Sequence, residues 1–134
     1  MKITKEADYA LRIVAMLAKS GQQIEAKVIA EQNGIPYRFT LKILRKIVQA
    51  GYLKSFRGVN GGYMLNKTPE EITLRNVIEI IDGDIALNGC LSESGCCVND
   101  GSCVIRRKLQ HVQDIVTNEL DSITFADIIA EMPE

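Results

Sequence analysis

Apolar positions recur at helical spacing through the first fifty residues, switch briefly to a strand-like pattern, and return to helical spacing in the second half. Over residues 5–19, Ala7, Ala10, Leu11, Val14, Leu17 and Ala18 share one helical face, which Ile13 and Met16 widen. Thr4 stands where an N-cap is needed, and Glu6 and Asp8 lie near the positive end of the helix dipole. Ser20 and Gly21 end the helix. Residues 25–33 predict a short second helix with Val28 and Ile29 inward, stopped by Gly34. Pro36 opens a third helix over residues 36–50, at the position where its missing N–H does no harm. There Phe39, Ile43, Leu44, Ile47 and Val48 are expected on the buried face. Arg38, Thr40, Lys42, Arg45 and Lys46 are expected on or beside the other.

Gly51 closes that helix. Leu53 to Phe56 and Tyr63 to Leu65 predict two short strands, joined by the loop Arg57-Gly58-Val59-Asn60-Gly61-Gly62. Helix, turn, basic amphipathic helix and glycine-tipped hairpin, in that order, predict a winged helix-turn-helix. A nucleotide-binding glycine loop is excluded, because no helix follows whose N-terminus could cradle phosphate. After Thr68-Pro69, the residues Leu74, Val77, Ile78, Ile80 and Ile81 predict a helix that ends at Asp82-Gly83 and roofs the domain. From Val104 to about Leu120 a longer helix carries the stripe Ile105, Leu109, Val112, Val116 and Leu120, with Ile115 beside it. Such a stripe suits the same helix of a second chain, in a homodimer. Thr124 and Asp127, spaced like a capping box, start a last helix with Phe125, Ile128 and Ile129 on its apolar side. The expected fold is mainly α with a small β-hairpin. Its parts are a winged helix-turn-helix domain (1–66), a connecting helix (67–88), a cysteine segment (89–103), and a dimerisation helix with a C-terminal helix (104–134).

Charge adds direction to this pattern. The 134 residues carry a net charge of -1, but residues 1–66 hold eleven Lys and Arg against four Asp and Glu. Residues 67–134 hold five against thirteen. A basic half suits a phosphate-rich partner, here double-stranded DNA, and an acidic half does not. Arg38, Thr40 and Lys42 are expected in the major groove, and Arg57 in the minor groove with Asn60 in the same loop. Lys46 and Lys54 are expected at phosphates. No apolar run reaches the ~18 residues of a membrane span, and the charged N-terminus has no apolar signal core, so a cytoplasmic location without membrane contact is expected.

All four cysteines lie in the segment GCLSESGCCVNDGSC, from Gly89 to Cys103. The segment has little to bury, and in the cytosol clustered cysteines read first as metal-binding or redox-active. Five residues separate Cys90 from Cys96, and five separate Cys97 from Cys103. The close-spaced cysteine pairs of structural zinc sites are absent. An iron–sulfur cluster held by thiolates is the expected occupant, in two-iron or four-iron form. A disulfide or thiol switch, a zinc site and inert thiols are the competing readings. Side chains of adjacent residues diverge, so one of Cys96 and Cys97 is the expected ligand. The lone histidine, His111, is a candidate fourth ligand that also reads as a surface or interface residue.

The stretches ITKEADYALRIV, AEQNGIPYRFTLKILRKIVQAGYL and SFRGVNGGYML, together with the cysteine segment, resemble the IscR/NsrR family of winged-helix regulators (the Rrf-two family) from Met1 to about Ile129. The resemblance implies a homodimeric transcription regulator with its third helix in the major groove and its wing in the minor groove. It implies a cluster held by Cys90, by Cys96 or Cys97, and by Cys103. In NsrR-type members a carboxylate near the start of the first helix, given by the other subunit, completes the ligand set, and Asp8 stands at that place. The IscR type uses a histidine three residues past the last cysteine, where this chain has Arg106. Some relatives keep the fold without a cluster.

The expected function is therefore DNA binding whose affinity an iron–sulfur cluster controls. A cluster-free regulator switched by thiol oxidation is the nearest rival. A small iron–sulfur electron carrier is a further one, which leaves the basic half and the wing unexplained. No nucleophile elbow or second catalytic constellation points to an enzyme.

Overall fold

The computed structural model describes residues 2–87, Leu91 and residues 103–133. Helix α1 (Lys5–Ser20) begins at Thr4, whose hydroxyl oxygen accepts the Ala7 N–H at 3.1 Å. It ends at Gly21, which is left-handed at φ 66° and donates its N–H to the Leu17 carbonyl. Helix α2 (Ala26–Asn33) stops in the same way at Gly34, and Pro36 caps α3 (Tyr37–Gln49). These two helices and the turn between them form the helix-turn-helix. Strands β1 (Leu53–Phe56) and β2 (Gly62–Leu65) then pair antiparallel, with Leu53 opposite Leu65 and Phe56 opposite Gly62.

The hairpin does not stand alone. Ile24, between α1 and α2, exchanges two backbone hydrogen bonds with Tyr63, at 2.9 and 2.8 Å. A two-stranded ribbon is at best marginally stable in water, and this bridge adds a third backbone segment at its root.

A single 3₁₀ turn (Pro69–Glu71) leads to α4 (Leu74–Asp82). Helices α5 (Val104–Ser122) and α6 (Phe125–Glu131) complete the described chain. The core gathers Ile13, Val14 and Leu17 from α1, Ile29 from α2, Ile43, Leu44 and Ile47 from α3, Leu53 from β1, Ile72, Val77 from α4 and Phe125 from α6. Full burial of each large side chain contributes ~1.5–3 kcal/mol before the cost of ordering it.

Two expectations change here. Helix α6, grouped on sequence with the dimerisation arm, joins the core of the winged domain through Phe125, which is fully buried. Backbone bonds fix it there: Leu74 N–H to the Ile123 carbonyl at 3.0 Å and Phe125 N–H to the Ile72 carbonyl at 2.9 Å. The second change is in α3, where Phe39 is half exposed and Thr40 is fully buried in its place. The Thr40 hydroxyl donates to the Pro36 carbonyl at 3.2 Å, so its burial leaves no donor unpaired.

Candidate nucleic-acid interface and cysteine segment

The buried positions of α3 are Thr40, Ile43, Leu44 and Ile47. Their spacing leaves Arg38, Lys42 and Arg45 exposed on the opposite side of the helix. Tyr37 and Phe39 are also exposed, one on each flank of that basic strip. Thr40, expected to reach the major groove, cannot do so: its side chain lies in the core, held by Pro36.

Lys46 is the second departure. Its Nζ lies 3.1 Å from Glu6 Oε1 in the first turn of α1, and Lys42 Nζ lies 3.9 Å from the same oxygen. Lys46, 35 % exposed, is thus partly neutralised inside the chain, whereas Lys42 is more open and only loosely held. Sequence reasoning missed Glu6 as a partner because forty positions separate it from Lys46.

The hairpin presents Arg57, Gly58, Val59 and Asn60 to solvent, with Val59 96 % exposed at the tip; Lys54 is exposed on β1. The tip is tightly built. A Cβ on Gly61 would lie 2.7 Å from the Phe56 carbonyl oxygen and 2.9 Å from that of Gly58. The Gln23 side-chain amide donates to the Asn60 carbonyl, so the segment between α1 and α2 grips the loop as well as the strand. Nothing in the local pattern around Gln23 announced this contact.

Of the expected metal ligands, Cys90, Cys96 and Cys97 lie outside the described residues. Cys103 is half-buried and caps α5; its carbonyl accepts the Arg107 N–H at 3.2 Å, and its side chain makes no capping bond. The unpaired N–H groups of a helix start favour an anionic ligand such as a thiolate. One turn on, Arg106 holds a buried Nε without a hydrogen-bond partner among the described residues. Asp8 sits in the first turn of α1, half exposed, with Oδ2 3.1 Å from Arg12 Nε. His111 is exposed on α5. Among the described residues no three His, Cys, Asp or Glu side chains converge, so Asp8, Cys103 and His111 are not brought together there. The half-buried thiol of Cys103 at a helix start and the guanidinium N–H of Arg106, unpaired among the described residues, nevertheless suit an anionic, thiolate-held group.

The start of α1 is also tied to the end of α4. Thr4 donates its N–H to Asp82 Oδ2 at 3.2 Å and its hydroxyl to Oδ1 at 2.5 Å. Helix α4 is tied in turn to α5: Arg75 Nε lies 2.5 Å from Glu79 and its guanidinium 4.0 Å from Asp121. The hydrogen bond and charge of Glu79, followed by Asp121, hold the Arg75 pKa above its ordinary value. Among the described residues, no helix is long and apolar enough to cross a membrane.

Comparison with known proteins agrees with this geometry. The family model Rrf2, described as an iron-dependent transcriptional regulator, matches residues 3–131. The HTH-type transcriptional regulator NsrR of Bacillus licheniformis is 32% identical over 132 residues, which cover 96% of this chain and 92% of that protein. Among solved structures, CymR, the global cysteine regulator of B. subtilis, superposes with a TM-score of 0.83 at 28% identity and covers 99% of both chains. IscR of T. potens shares the fold, with a TM-score of 0.77 at 24% identity over 100% of this chain and 93% of that one.

Proposed function

The chain belongs to the Rrf2 family of transcription regulators, and from that premise we propose that it binds double-stranded promoter DNA as a homodimer, with an affinity set by an iron–sulfur cluster at its cysteine segment. The observation that carries the DNA reading is the exposed strip Arg38, Lys42 and Arg45, followed in the chain by a tightly built, glycine-tipped wing bearing Arg57. Arg38 and Lys42 enter the major groove; Arg57, with Asn60 beside it, enters the minor groove, and Lys54 meets phosphate. Lys46 reaches phosphate only by leaving Glu6.

In this reading Cys90, one of Cys96 and Cys97, and Cys103 hold the cluster, and Asp8 completes the set from across the dimer. When bound, such a group supplies an iron centre that oxidation, iron loss or a small reactive molecule can alter. The protein's own residues carry the consequence to the DNA. Asp8 shares the first turn of α1 with Glu6, and Glu6 touches Lys42 and Lys46 of α3. A pull on Asp8 therefore moves the residues that position the reading helix. The Thr4–Asp82 bonds join the same turn to the end of α4, from which the chain runs on to Cys90. A difference of ~1–3 kcal/mol between two arrangements changes affinity about 5–150-fold.

The test is anaerobic purification and reconstitution, followed by titration of promoter DNA with cluster-loaded and cluster-free protein. Visible absorbance from iron–sulfide, and at least a fivefold difference in affinity of the kind such coupling gives, are expected. Equal affinity of the two forms would remove the control and leave the DNA binding. Colourless protein whose affinity changes on oxidation would move the switch to the thiols themselves.

A further inference from the structure

Phe39 lies in the first turn of α3 and is 50 % exposed. The core beneath is filled without it, because Thr40, Ile43, Leu44 and Ile47 occupy the inward positions. Its surface neighbour one turn on is Lys42, and Arg38 precedes it in the chain; both are exposed. The ring therefore borders the strip assigned above to the major groove. The first residues of a recognition helix are the ones that reach base edges. Among the features displayed there by the four base pairs, the thymine C5-methyl is the apolar one, and an aromatic side chain can contact it.

We propose that Phe39 packs against a thymine methyl group in the major groove and makes α3 selective for thymine at one position of each half-site, a contact that rests on the DNA-binding reading above. Arg38 and Lys42 supply hydrogen bonds and phosphate attraction on either side, which fix the register of the helix. Phe39 adds a preference for that methyl group, the one feature by which thymine differs from uracil.

The measurement starts from the unaltered protein and then compares two variants at position 39. Full-length chain, prepared without oxygen in cluster-loaded and cluster-free forms, selects duplexes from a randomised pool. The enriched duplex is then made again with deoxyuridine replacing each thymine in turn. One replacement is expected to weaken wild-type binding about fourfold, the effect of one buried methyl group. The same replacement leaves Phe39→Ala unaffected and costs Phe39→Leu an intermediate amount. Indifference to every replacement, or an equal loss in wild type and Phe39→Ala, overturns the contact while leaving DNA binding in place. Failure of both forms to enrich any duplex removes the DNA-binding reading itself, and the contact with it. Light scattering guards against the remaining case: if Phe39→Ala changes the mass of the particle, the ring belongs to a subunit contact and the thymine assignment falls.

Discussion

At Gly62 an added Cβ would lie 2.7 Å from the Ile24 carbonyl oxygen, the atom that accepts the Tyr63 N–H. Gly62→Ala must therefore open the bridge that anchors the wing. A loss of ~1–3 kcal/mol is expected, as for an overpacked core, and a urea titration of wild type and variant measures it. Unchanged stability would show that the root of the hairpin yields freely. The same scale shows why part of the reading face could not be placed from sequence. Position 40 lies three before Ile43, four before Leu44 and seven before Ile47, so the spacing pointed inward. Residue type pointed the other way, because threonine is polar and phenylalanine is not. Spacing prevailed because the carbonyl of Pro36 satisfies the Thr40 hydroxyl. Polarity alone misplaces a hydroxyl that can bond back to its own helix.

Among the elements, α1 and α3 are joined by charge as well as by packing. Glu6 lies against Lys46 and near Lys42, a carboxylate beside the face proposed to meet DNA. Glu6→Gln is expected to raise DNA affinity and to steepen its salt dependence, by up to about 0.9 in the log–log slope for each lysine released to a phosphate. Titrations at several salt concentrations measure this, and an unchanged slope would mean that both lysines stay away from the backbone. The helices and strands were themselves legible. Thr4, Gly21, Gly34 and the Thr124–Asp127 box mark helix ends by local chemistry, and all four act at those ends. The Glu6 pairs, the Gln23 grip and the Thr4–Asp82 bonds join residues 36–78 positions apart, and no local pattern encodes them.

At the scale of the whole molecule, α5 carries a long apolar surface that no described residue covers. Helix α5 exposes Val104, Ile105, Val112 and Ile115, while Gln113, on another side, is buried and accepts the Leu87 N–H at 2.9 Å. A second copy of the chain is the proposed cover. Ile105→Lys combined with Ile115→Lys is expected to halve the particle mass in light scattering and to weaken binding to a two-half-site operator by at least tenfold, since a single head then binds alone. A variant of full mass would place the subunit contact elsewhere. The cysteine pattern and the acidic second half were plain in the sequence. The placement of Asp8 beside the cysteines rests on the family resemblance alone, because that convergence, as proposed, belongs to two chains rather than one.

Phe125 has a further consequence, for how the protein is made. Its ring closes the core of the winged head, yet the residues it packs with, from Ile13 to Val77, are all synthesised before it. The head therefore cannot close until α6 itself has left the ribosome. A truncated product that stops before α6 would emerge with an open apolar cleft and would be cleared by proteases rather than compete with the intact regulator.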